Sequence, residues 1–217
     1  MAQGAHGILL CQAESADAVQ AFVESCRYPH QLAGVDPSLP SPLERMRGAL
    51  AGAPARGADG RRQLGAGTRG RGSESTVAAV WKVSPAEVLE RGDVWPLNPT
   101  GELLLGVKIE SPEGVANCKD ILAVPGLGFA EIGPGDLGLS LGYTTLRVDP
   151  YPPEMQEARD RIFAACRQNQ LAFLESCTPE NIAARIDEGV RIVAGNREDT
   201  ARVGRAHQQQ ALASGNS

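Results

Sequence analysis

Apolar residues gather in five short runs along the chain: 7–11 (GILLC), 103–109 (LLLGVKI), 127–133 (LGFAEIG), 171–175 (LAFLE) and 190–195 (VRIVAG). Each has the length of a strand, and their continuous apolarity suits a parallel sheet whose outer face is covered. Four are followed by segments that start like helices. Ser111-Pro112-Glu113 and Thr178-Pro179-Glu180 each offer a hydroxyl at the N-cap, proline at the first helical position and an acid in the positive first turn. Ser15 with Asp17 does the same without the proline. The residues that follow carry apolar stripes at helical spacing: Val19, Phe22, Val23 and Cys26, then Ile182 and Ile186 after Thr178. Met155, Ala158, Ile162 and Ala165 form another after Tyr151-Pro152-Pro153. Alternating strands and helices predict βαβ units with right-handed crossovers, in an open doubly wound sheet or a closed barrel. Neither a Gly-x-Gly-x-x-Gly loop nor a Walker loop follows any run, which favours the barrel.

Two stretches break the rhythm. Residues 32–66, rich in Pro, Gly, Ala and Arg, show no sustained period beyond a helical turn near 43–50, and read as a mobile surface insertion. It separates a strand and helix (1–31) from the remainder of the barrel (67–207). The polar tail 208–217 is expected to be disordered. Between Trp81 and Pro99, Ser84, Pro85 and Glu87 form a capping box, and Trp81 and Trp95 suit packing, a subunit contact or a lid.

The length allows one sizeable domain. With 26 acidic against 21 basic residues the net charge is −5, which argues against a nucleic-acid partner. No apolar stretch approaches the roughly 18 residues of a membrane span. The N-terminus lacks a basic region ahead of its apolar run, so no secretory or transit peptide is expected and the location expected is cytoplasmic. Five cysteines without a Cys-x-x-Cys pair read as free thiols. No two of the three histidines have ligand spacing.

In a parallel barrel the chemistry sits at the C-terminal ends of the strands. Glu110 closes the run VKIE, and Asp136 follows the next run. Two such carboxylates are hard ligands suited to Mg²⁺ or Mn²⁺ that keeps open positions for water or substrate. Singly, either could be a helix-cap acid or a surface ion-pair partner. The turn Gly133-Pro134-Gly135-Asp136 could present the amides of Gly135 and Asp136 to an anion, or be a tight turn and nothing more.

The stretch VKIESPEGVANCKDILAVPGLGFAEIGPGDLGLSLGY resembles the HpcH/HpaI-type class II pyruvate aldolases, relatives of the citrate lyase β subunit and macrophomate synthase. AHGILLCQAESADAVQAFVESCRYPHQ resembles the family's fourth strand and helix, and GTRGRGS (67–73) the segment that normally follows directly. The resemblance implies an α/β fold, a (β/α)₈ TIM barrel, here partial because the first three βα units have no counterpart. It implies a homo-oligomer, a hexamer exchanging C-terminal helices. It further implies a divalent metal, Mg²⁺ first with Mn²⁺ or Co²⁺ as alternatives, and a carbon–carbon lyase cleaving or forming 2-oxo-4-hydroxy acids, from pyruvate or another 2-oxo acid and an aldehyde, through a metal-stabilised enolate. Glu110 and Asp136 match the metal ligands; Ser73, Gly135 and Asp136 match groups around the substrate carboxylate.

Two departures stand out. The family's histidine-bearing loop and its arginine have no match, so no residue is assigned to proton transfer, and His6 precedes a strand instead of ending one. Lys108 stands where many members have glutamine, on the strand face of Glu110. It reads as an ion-pair partner or substrate contact, or else as a Schiff-base lysine. The readings left open are a metal-dependent aldolase, a Schiff-base aldolase through Lys108, and a non-catalytic paralogue that serves as an oligomer subunit.

Overall fold

Three of the predicted caps start helices in the computed structural model, which describes residues 3–39, 56, 60–145, 150–194 and 198–213. After β1 (Gly7–Leu10), Ser15 Oγ accepts the Ala18 N–H at the start of α1 (Ala16–Cys26). Helix α2 (Glu74–Trp81) precedes α3 (Pro85–Arg91), where Ser84 and Glu87 close the capping box. A short β2 (Val94–Trp95) leads to β3 (Leu103–Ile109), and Ser111 caps α4 (Pro112–Leu122) by accepting from Gly114 N–H. Then follow β4 (Phe129–Ile132), α5 (Pro134–Ser140), α6 (Pro153–Gln168), β5 (Ala172–Ser176), α7 (Ile182–Glu188), β6 (Ile192–Ala194) and α8 (Glu198–Ala213).

All strand pairs are parallel, in the order β1-β3-β4-β5-β6, with β2 beside the start of β3. The sheet curls into a half-barrel, so the expectation of a partial barrel holds. Its two faces differ because strand side chains alternate. Leu103, Leu105, Val107 and Ile109 are fully buried against the helices, together with Val23, Ile121 and Ile162. Leu104 and Lys108 point to the concave side and are only partly covered. On that side Phe129 lies over Gly106, where a Cβ would meet its ring at 2.3 Å.

Two buried ion-pair systems tie helices to strands. Arg27, the C-cap of α1, forks onto Asp93 just before β2 (Nε–Oδ1 2.6 Å, Nη2–Oδ2 3.0 Å), and Val94 N–H and Asn98 Nδ2 also donate to Asp93. On α6, Arg159 forks onto Glu175 of β5 (2.6 and 2.8 Å) and reaches Glu188 at the end of α7.

Some expectations need correction. Thr178 does not cap a helix: its N–H donates to Asn181 Oδ1 (2.8 Å), so 178–181 form a turn and α7 starts at Ile182. The predicted insertion extends too far, because Leu64 and Ala66 are buried and Glu24 of α1 accepts from Gly65 N–H and pairs with Arg62. The rest of that segment, 40–55 and 57–59 with the expected turn at 43–50, lies outside the described residues. Helix α8 covers 208–213 of the expected disordered tail; it seats Gly204 on Ile182 and bonds His207 to Asp187 (2.7 Å). Among the described residues no helix is long and apolar enough to cross a membrane.

Asp93 supplies a stability test. Burial alone would push its carboxyl up, but Arg27, the Val94 amide and Asn98 outweigh this and hold it below the usual range. A depressed folded-state pKa contributes stability that is present above the ordinary carboxylate range and lost as pH falls through the lowered value. Asp93→Ala leaves Arg27 charged and unpaired, so denaturant titration at pH 7 should show a loss of about 3–5 kcal/mol, and the gap from wild type should narrow in acid. A loss under about 1 kcal/mol, as for an exposed pair, would contradict the role given to this contact.

Candidate active site at the strand ends

Glu110 stands where β3 gives way to the cap of α4, and its carboxylate is held from two sides. Gln12, just past β1 and in the left-handed region (φ +54°), turns its N–H onto Glu110 Oε1 at 2.9 Å. On the β4 side Gly133 abuts Glu110, and a Cβ there would lie 2.2 Å from Oε2. Only glycine permits that approach. The loop after β1 is strapped to the same exit: Ala13 N–H donates to Lys108 O (3.1 Å), Ser111 Oγ to Glu14 Oε1 (2.7 Å) and Asn117 Nδ2 to Glu14 O (2.8 Å).

Asp136 lies in the first turn of α5, directly after β4, the hydrogen-bonded neighbour of β3. The fold therefore brings Glu110 and Asp136 together. Glu110 is buried and Asp136 exposed, so the pair reaches from the sheet edge to solvent. Burial raises the Glu110 pKa, the Gln12 amide and Lys108 oppose this, and Asp136 raises it further. Ser140 Oγ donates to Asp136 O (2.9 Å) and more weakly to Glu110 O (3.4 Å), joining α5 to the β3 exit.

Lys108 faces Glu131 in register across β3 and β4, with Nζ 3.6 Å from Oε2. Burial raises the Glu131 carboxyl, and the ammonium opposes the rise. Lys108 is thus an ion-pair partner that still carries solvent-accessible surface.

Ser73 is not part of this group within one chain. It starts α2 with its hydroxyl beside the Tyr28 phenol, and Tyr28 follows Arg27, which grips Asp93 at the entrance of β3. Glu110 is at the exit of that seven-residue strand, on the order of 20 Å away at about 3.3 Å per residue. Nor does a histidine approach the pair: His6 stacks on Trp81, His30 bonds Leu89 O and His207 bonds Asp187.

Among the described residues no group of three or more His, Cys, Asp or Glu could hold a metal. A cation here would have two protein carboxylates and complete its shell with water or substrate, the habit of Mg²⁺. The donor set fits: two hard oxygens from neighbouring strand exits, one desolvated, with Lys108 the one cation acting on Glu110 among the described residues.

The family model of HpcH/HpaI aldolase/citrate lyase matches residues 1–200. The chain belongs to the HpcH/HpaI aldolase/citrate lyase family. It is 39% identical over 93 residues to a hydroxypyruvate/pyruvate aldolase of Pseudomonas aeruginosa, covering 43% of this chain and 31% of that protein. It is 30% identical over 152 residues to a 4-hydroxy-2-oxo-heptane-1,7-dioate aldolase of Shigella flexneri, covering 70% of this chain and 53% of that one. The HpcH/HpaI chain thus spans about half, or less, of these relatives' length. A family structure from Burkholderia cenocepacia J2315 superposes with a TM-score of 0.59 at 22% identity, over 99% of this chain and 66% of that one. Citrate synthase SbnG gives 0.57 at 19% identity, over 99% and 66%. At such identities the superpositions speak for the fold.

Sequence reasoning missed Gln12, Glu131 and the contact that Gly133 makes with Glu110. Glu131 sits inside an apolar run, where a lone acid on the concave face is a usable signal. A left-handed amide at Gln12 leaves no mark in residue type.

The raised pKa of Glu110 has a definite sign. Its ionised form costs folding free energy above the ordinary carboxylate range, and that cost vanishes in acid, where the side chain is protonated in both states. In metal-free buffer near neutral pH, Glu110→Gln should therefore melt at or above the wild-type temperature, with the difference shrinking as pH falls. A clear drop in Tm would mean that Glu110 serves as a structural ion-pair partner instead.

Proposed function

We propose that this chain carries the metal-binding half of an aldolase site: a carbon–carbon lyase acting on 2-oxo-4-hydroxy acids, with Glu110 and Asp136 as ligands of a divalent cation, Mg²⁺, Mn²⁺ or Co²⁺. The supporting observation is the desolvated Glu110 carboxylate, fixed by Gln12 N–H and Gly133 and raised further by Asp136. Two like charges in that position repel each other, and a dication offsets both the repulsion and the desolvation.

A dication bound there would supply Lewis acidity at the carbonyl of a 2-oxo acid. The protein's share is positioning. Gln12 keeps Glu110 in one orientation, so little reorganisation is needed on loading. The amides of Gly135 and Asp136, in the first turn of α5, have no earlier helical carbonyl to bond and suit a substrate carboxylate. Lys108, aligned by Glu131 on the same concave face, is a substrate contact, and this pairing favours an ion-pair role over Schiff-base chemistry. No side chain is assigned to proton transfer. Self-association would cover the open edges of β1 and β6 and the concave face, which supports the expected homo-oligomer.

The test separates binding from turnover. Mg²⁺, Mn²⁺ and Co²⁺ should each raise the Tm of the wild type and not of Glu110→Gln or Asp136→Asn. Retro-aldol release of pyruvate from a 4-hydroxy-2-oxo acid, assayed with the same ions, should stop in EDTA and fall about 10²-fold or more in either variant. Stabilisation by the ions without turnover would favour a non-catalytic oligomer subunit. Turnover that survives EDTA and is trapped by borohydride would move the chemistry to Lys108.

A further inference from the structure

Helices α7 and α8 and the strand β6 line an open cavity of about 430 Å³, far larger than a packing defect and within the range of small-molecule sites. It is built from side chains the aldolase reading does not use. Ile182, Ile186, Val190 and Val193 give it an aliphatic wall, and among the described residues no aromatic side chain lines it. Val193 is 38% exposed although it lies on the helix-facing side of β6, so the cavity replaces packing that this residue would otherwise have.

The charged part of the lining has one sign. Arg191 and Arg205 both contribute, while among the described residues no aspartate or glutamate does, in a chain with a net charge of −5. Arg191 is steadied by donating Nη1 to Ile186 O (3.1 Å) and Val190 O (3.2 Å), which leaves its other donors available to a ligand. Thr200, only 4% exposed, also lines the cavity, and its Oγ1 has no hydrogen-bond partner. A buried hydroxyl without a partner is costly and uncommon, and a ligand oxygen would satisfy it.

We propose that this cavity binds a small aliphatic carboxylate, a ligand with a short saturated body against the isoleucine and valine wall and an anionic head received by Arg205, Arg191 and the Thr200 hydroxyl. The positive lining selects an anion, the two guanidinium groups with the Thr200 and Ser176 hydroxyls suit a carboxylate, and the aliphatic wall disfavours a fully polar body. The site is independent of Glu110 and Asp136.

The test is calorimetric titration of the full chain with 4-methylpentanoate, and with 4-methylpentan-1-ol as the uncharged control. Saturable 1:1 binding of the acid is expected, with the alcohol at least about tenfold weaker, Arg205→Gln about tenfold weaker and Thr200→Val several-fold weaker. Both substitutions leave the aliphatic packing in place, and thermal melts confirm folding. Glu110→Gln should bind the acid with unchanged affinity. Equal binding of acid and alcohol, absence of saturable binding, indifference to Arg205→Gln, or loss of binding in Glu110→Gln would each overturn the proposal.

Discussion

Two carboxylates placed at the exits of adjacent parallel strands repel each other, and one of them, Glu110, has also lost most of its water. That arrangement persists only because the surroundings hold it: Gln12 gives up a backbone N–H in a left-handed conformation, and Gly133 gives up a side chain. Neither concession improves packing. On the proposed reading, both are the cost of keeping a cation site formed before the cation arrives, which is how functional sites trade stability for readiness.

The remainder of the half-barrel serves that edge. Helix α1, reached through the loop that carries Gln12, is locked at its far end by the Arg27–Asp93 fork, and β5 is locked to α6 and α7 by Arg159. The convex side of the sheet has a complete core, whereas the concave side leaves Leu104 and Lys108 partly uncovered. The molecule thus has a well-packed outer layer carrying an open inner one, whose Lys108 pairs with Glu131 and acts on Glu110.

Much of this was legible in the sequence, for local reasons. The run LLLGVKI reads as β3 residue for residue, and Ser111-Pro112 marks the next helix, because strand apolarity and N-cap chemistry are properties of neighbours in the chain. Glu110 and Asp136 are legible by the same logic, as polar residues at the ends of apolar runs. Long-range contacts were not legible. Helix α5 is assembled from PGDLGLS, a poor helix former that forms because Leu137 is buried, so packing overrides propensity. Ser73 joins the pair in a motif comparison, yet the fold sets it at the entrance of β3. Thr178 looked like Ser111, but Asn181 three residues on competed for its backbone.

The most direct test is a crystal grown with Mn²⁺, with data collected to map its anomalous scattering. The account predicts a single strong peak in the mouth of the half-barrel, about 2.0–2.3 Å from one oxygen each of Glu110 and Asp136, with water completing the shell. A map with no peak there at saturating Mn²⁺, or one in which Glu110 keeps its place while Asp136 turns to solvent, would contradict it.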